Sequence, residues 1–140
     1  MSLQPFHLAI PVDNIQKARD FYGGVFSLTE GRSNDLWVDW NFYGHQLVTH
    51  LDKDQIAKNK VINPVDGKKV PVPHFGIVLK WDDWHDLVDK LKTHNIKFII
   101  EPYIRFKGKA GEQATMFFYD PSGNAIEMKS FKDESQLFVK

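Results

Sequence analysis

The chain contains no cysteine. That excludes disulfides, thiolate nucleophiles, zinc fingers and iron–sulfur ligation together. It has no excess of either charge. Eighteen Lys and Arg face 18 Asp and Glu, for a formal net charge of zero and a pI near 7.0. Such balance removes the overall attraction that a nucleic-acid or anionic-membrane binder exploits. No apolar run approaches the roughly 18 residues of a membrane span. The N-terminal MSLQPFHLAI also lacks the basic-then-apolar order of a signal segment. The expectation is a cytoplasmic protein with neither nucleic acid nor membrane as partner. What is present is 140 residues, 42% hydrophobic and 14% aromatic, enough for the core of one ordinary domain.

The chain repeats itself. Phe6, Leu8, Ile10 and Val12 alternate with polar or small residues, the period of a strand with one buried face. In the second half Phe75, Ile77, Leu79 and Trp81 do the same. A histidine, His7 and His74, stands on the opposite face each time. A helix signal follows both strands. Asp13 is the expected N-cap of Ile15, Ala18, Phe21, Tyr22 and Val25, with Gly23-Gly24 as the expected stop. Asp82 or Asp83 is the expected cap of Trp84, Leu87, Val88 and Leu91.

Three further strands complete each half: 27–33, 36–43 and 45–51, then 97–104, 114–119 and 125–131. The reading is an α+β fold of tandem βαβββ modules, residues 4–51 and 74–131. A polar, proline-bearing linker over 52–73 joins them into one domain. The charged tail 132–140 is expected to be peripheral or a short helix.

The face opposite the helices carries the candidate chemistry. Ala9 and Gly76 flank the two histidines and are expected to leave room for a ligand. On the last strand Ile126 and Met128 form the helix-side row, which puts Glu127 on the other face. A carboxylate there is costly unless paired or bound to a metal. His7, His74 and Glu127 match the donor set of one divalent cation (Fe, Mn, Zn, Ni or Co) with open positions. The residue equivalent to Glu127 in the first half is Val48, which cannot ligate. His50 has the same parity two residues on, and is a candidate fourth ligand, general base or substrate contact. The turn glycines Gly44 and Gly123 lie 79 apart against 67 for the histidines, so the second half holds 12 additional residues. The stretch 103–113 is expected to contain most of them as a mobile lid, with Arg105 contacting an anionic or polar substrate. His45, His85 and His94 read as solvated, and Trp37, Trp40, Phe42 and Phe117 as core or subunit contact.

The duplicated layout, the histidine opening each half and the run Asp120-Pro121-Ser122-Gly123-Asn124-Ala125-Ile126-Glu127 resemble the vicinal oxygen chelate superfamily. That group includes glyoxalase I, fosfomycin-modifying thiol transferases, extradiol dioxygenases and bleomycin-resistance proteins. The resemblance covers residues 4–131. It implies paired sheets forming a partly closed mixed β-sheet barrel around a metal, to which a small substrate chelates through two adjacent oxygens. It places His7, His74 and Glu127 on ligand positions. The expected function is that of a metal-dependent lyase, transferase or dioxygenase, commonly a homodimer in which halves can be exchanged between chains. Val48, where glyoxalase I has a second glutamate, departs from ordinary methylglyoxal chemistry. The alternative is a non-catalytic protein of the bleomycin-resistance type that sequesters a small molecule.

Overall fold

The computed structural model describes residues 2–54 and 61–140; residues 55–60 of the expected linker lie outside the described residues. The chain divides into two units. The first takes in the described residues up to 54 together with Asp120–Asn124, the second residues 61–119 and Ala125–Lys140.

In the first unit β1 (His7–Val12), β2 (Thr29–Ser33), β3 (Trp37–Phe42) and β4 (His45–Leu51) form one sheet in the order β1-β4-β3-β2. β1 runs parallel to β4, and the other pairs are antiparallel. Leu47, Thr49, Val38, Trp40, Phe42, Ile10 and Val12 are buried on one face. The register gives His7, Ala9, Asp39, Asn41, Gln46, Val48 and His50 to the other. The alternation read from the sequence thus holds across three strands, because a one-residue slip would expose the whole apolar row.

The first helix differs from expectation at both ends. Its N-cap is Asn14, whose side chain accepts from Lys17 N at 2.9 Å, while Asp13 bonds instead to Ser122. After α1 (Ile15–Ala18) the coil widens into a π-helical stretch, Arg19–Val25, so Gly23-Gly24 does not stop it. Gly23 lies against the Trp40 ring, where an added Cβ would meet two ring carbons at 3.3 Å. The glycine here serves close packing rather than termination.

The second unit repeats the pattern with β7 (Val78–Leu79), α2 (Trp81–Thr93), β8 (Phe98–Arg105), β9 (Gln113–Tyr119) and β10 (Ala125–Phe131), ordered β7-β10-β9-β8. α2 begins two or three residues earlier than expected, with Lys80 as N-cap rather than Asp82 or Asp83. Asp82 and Asp83 occupy its first turn, where a carboxylate is favourable near the helix dipole without capping it. Trp84, Leu87, Val88 and Leu91 are its buried stripe, and Trp84 Nε1 donates to Met128 O at 2.8 Å. The opening strand is cut to two residues plus a lone bridge between Phe75 and Ile126.

Within the stretch read as linker, β5 (Val61–Val65) and β6 (Lys68–Val72) form a hairpin closed by Asp66-Gly67, with φ of 52° and 72°. Those left-handed angles are what a two-residue hairpin turn needs, and Asp-Gly supplies them. Val70 from β6 packs with Ile100 and Phe117 in a small core. A short 3-10 turn, Glu134–Phe138, ends the chain, capped by Asp133. No helix among the described residues is long and apolar enough to cross a membrane.

Candidate metal centre

Glu127 is placed by β10 and His74 by the segment leading out of the β5–β6 hairpin. Two backbone bonds, Phe75 N to Ala125 O and Glu127 N to Phe75 O, lace that segment to β10. His74 Nε2 and Glu127 Oε2 consequently stand 3.0 Å apart, with side chains 26% and 17% exposed. The other atom of each is held. His74 Nδ1 donates to the Pro71 carbonyl at 2.6 Å, and Glu127 Oε1 accepts from Thr115 Oγ1 at 2.8 Å. The His74 ring meets Phe117 edge-on at 5.0 Å, and Lys129 Nζ lies 3.9 Å from Glu127 Oε1.

Because Nδ1 carries the proton given to Pro71, a proton at Nε2 makes the ring cationic. The hydrogen bond to Glu127 raises the His74 pKa above 6.5, outweighing burial, and the Pro71 carbonyl adds to the rise. Burial opposes ionisation of Glu127, but His74, Thr115 and Lys129 together hold its pKa below 4.5. A raised histidine adds stability below its unfolded pKa and loses it as pH climbs through the folded value. A lowered carboxylate adds stability above its unfolded pKa and loses it as pH falls. The pair therefore stabilises the metal-free protein most between pH 4.5 and 6.5. Replacing His74 with alanine should cost about 1 kcal/mol in that window. The cost should shrink by pH 9, as read from thermal melts of metal-free protein.

The pair also suits a cation in place of the proton. Two donors about 3 Å apart match two ligands at about 2.1 Å from one metal at a near-right angle. An imidazole anchored through its remote N–H to a carbonyl, beside a carboxylate fixed by a hydroxyl, is the support that metal ligands usually have. His74 and Glu127 thus fit a divalent first-row metal.

The other sequence-predicted residues lie apart from this pair along the chain. His7, in the first unit, is exposed, and its Nδ1 lies 2.7 Å from Gln46 Oε1. His50 is exposed on β4 beside Pro11, four positions along β1 from the residue carrying His7 and so about 13 Å from it along the strand. Within each unit, no three His, Asp or Glu side chains are gathered to hold a metal among the described residues. Arg105 belongs to β8 rather than to the following loop. It forms an ion pair through Nε with Asp66 of the hairpin turn, joined by Tyr103 Oη at 3.0 Å from the same carboxylate. The loop after it is folded on itself, with Gly108 N donating to Glu112 Oε1 and Lys132 pairing with Glu112.

Gly76 does not leave room for a ligand, as its position beside His74 led us to expect. The Glu127 backbone fills the space a Cβ would take. Sequence reasoning missed Thr115, Pro71, Tyr103 and Asp66. Thr115 was findable, since strand parity puts it on the Glu127 face. The Pro71 carbonyl and the Asp66 contacts arise from chain reversals that no periodicity announces.

Two mixed four-stranded sheets, each with a helix between its first and second strands, define a duplicated βαβββ architecture. The sequence pattern of the Glyoxalase/Bleomycin resistance protein/Dioxygenase superfamily matches residues 4–128, and the chain belongs to that superfamily. A glyoxalase/bleomycin resistance protein/dioxygenase from Alicyclobacillus acidocaldarius is similar in structure, with TM-score 0.79, 30% identity and 96% of each chain covered. The genomically encoded fosfomycin resistance protein FosX from Listeria monocytogenes shares the fold at TM-score 0.71 and 16% identity, covering 98% of this chain and 100% of its own. Lactoylglutathione lyase from Agrobacterium tumefaciens does so at 0.65 and 15%, covering 99% and 98%. No curated protein matches the chain.

Proposed function

We propose that the protein is a divalent-metal-dependent enzyme acting on a small molecule with two adjacent oxygens, as a lyase, transferase or dioxygenase. His74 and Glu127 hold the metal from one copy of the chain. His7 completes the set from a second copy, so the active species is a homodimer. The observation that carries the reading is the opposed His74–Glu127 pair, each member anchored on its outer atom. A bound divalent metal supplies Lewis acidity for negative charge developing on a substrate oxygen. Pro71 keeps the His74 proton on Nδ1, Thr115 orients Glu127, and Lys129 adds positive charge on the same face. Arg105, whose Nε and Nη2 are both anchored by Asp66, contacts an anionic or polar substrate group with its guanidinium. His50, remote from His7 along the sheet, serves as acid or base toward the far end of the substrate rather than as a ligand.

Protein purified without added metal should contain close to one equivalent per chain by elemental analysis. His74→Ala, Glu127→Ala and His7→Ala should each fall below about a tenth of that, in line with loss of a ligand. His50→Ala should keep the metal and lose turnover. Binding should tighten about tenfold per pH unit while His74 remains protonated, because the cation displaces that proton. Refolding His7→Ala and Glu127→Ala copies together should restore part of the metal. A metal-free wild-type protein that binds an aromatic compound tightly would sink the enzyme reading in favour of sequestration.

A further inference from the structure

His7 is exposed, and a free imidazole in water favours the proton on Nε2, the nitrogen that would have to bind. The first sheet holds an arrangement that reverses this preference. Gln46 lies beside His7 in the parallel register of β1 and β4, and His7 Nδ1 is 2.7 Å from Gln46 Oε1. On its other side Gln46 Nε2 is 3.3 Å from Asp39 Oδ2. Asp39 sits directly across from Val48, one strand over from the position that Glu127 holds in the second sheet.

The chain of contacts has one consistent assignment. An ionised carboxylate only accepts, so Asp39 must face the amide N–H2 of Gln46. The amide oxygen then faces His7, and an oxygen in that place requires a proton on Nδ1. Nε2 keeps its lone pair. In the second unit the Pro71 carbonyl imposes the same tautomer on His74 by a different acceptor. Both imidazoles thus offer the same nitrogen.

We infer that Asp39 and Gln46 are positioning residues that lock His7 in its Nδ1–H tautomer and leave Nε2 free for a cation. The inference rests on the proposed ligand role of His7, and explains an acidic residue that the ligand set itself does not use. Without Asp39, Gln46 can turn its amide over, present N–H2 to His7 and select the opposite tautomer. Without Gln46, water sets the ratio.

The test is long-range 1H–15N NMR of the full-length, metal-free protein, which distinguishes the two tautomers of a histidine ring. Wild-type His7 should be mainly Nδ1–H. Asp39→Ala and Gln46→Leu should shift it toward Nε2–H, and each should weaken binding of an added divalent cation by a factor of 10 or more. The double variant Asp39→Ala/Gln46→Glu should recover the wild-type tautomer, because a carboxylate accepts from Nδ1–H whichever way it turns. A mainly Nε2–H His7 in the wild type, or a ratio that Asp39→Ala leaves unchanged, overturns the inference. Metal retained at full stoichiometry by His7→Ala overturns the ligand role instead, and the tautomer measurement stands apart from it.

Discussion

Gly76→Ala should lower the unfolding free energy by about 3 kcal/mol or more, the scale at which overpacking forces backbone to move. The added Cβ falls on the backbone carbonyl of Glu127, with Glu127 N also within 3.3 Å. Neither atom is the end of a flexible side chain. The flanking bonds, Phe75 N to Ala125 O at 3.2 Å and Lys129 N to Ile77 O at 3.2 Å, must break or lengthen to admit it. Since the same carbonyl adjoins the proposed ligand, metal affinity should fall together with stability. Ala9, at the corresponding place in the first half, already carries a Cβ and lies in an unbroken six-residue parallel register. Ala9→Gly should cost about 1 kcal/mol or less. Equal melting temperatures for Gly76→Ala and wild type would contradict the close approach.

Asp120→Ala should be nearly as damaging, at about 3 kcal/mol, or on the order of a 10 °C drop in melting temperature. Its carboxylate accepts from Tyr22 Oη at 2.7 Å, Ser122 N at 2.9 Å, Asn124 N at 2.9 Å and Asn124 Nδ2 at 2.8 Å. Tyr22 is completely buried and Asp120 only 4% exposed, so removal strands several donors away from water. Burial raises the Asp120 pKa, and the four donors oppose this without cancelling it. The carboxylate is therefore sustained by its partners rather than by solvent. Asp120→Asn, which keeps the shape and part of the bonding, should cost clearly less than alanine. An alanine variant that melts within two or three degrees of wild type would show that the loop is held by other contacts.

Asp120 also organises the run Asp120-Pro121-Ser122-Gly123-Asn124, one of the features on which the family resemblance rests. Its side chain closes the turn, while Ser122 and Asn124 bond to Asp13 and the Pro11 carbonyl, all within the first unit. The motif was legible as a string, and its physical work was not. The hairpin at 61–72 was legible and overlooked. Asp66-Gly67 between alternating valines is a strong local signal, hidden by the prolines around it.

Strand parity, the duplicated βαβββ order, and the faces bearing His7, His74 and Glu127 were all determined by the amino-acid sequence alone. They follow from local periods of two and 3.6 residues, which any burial on one face enforces. Which groups meet was decided only in the tertiary structure. The Pro71 carbonyl behind His74, Asp39 behind Gln46 and the Glu127 backbone against Gly76 depend on inter-strand register and chain reversals. Those are set by the packing of distant segments, and no repeat in the chain encodes them.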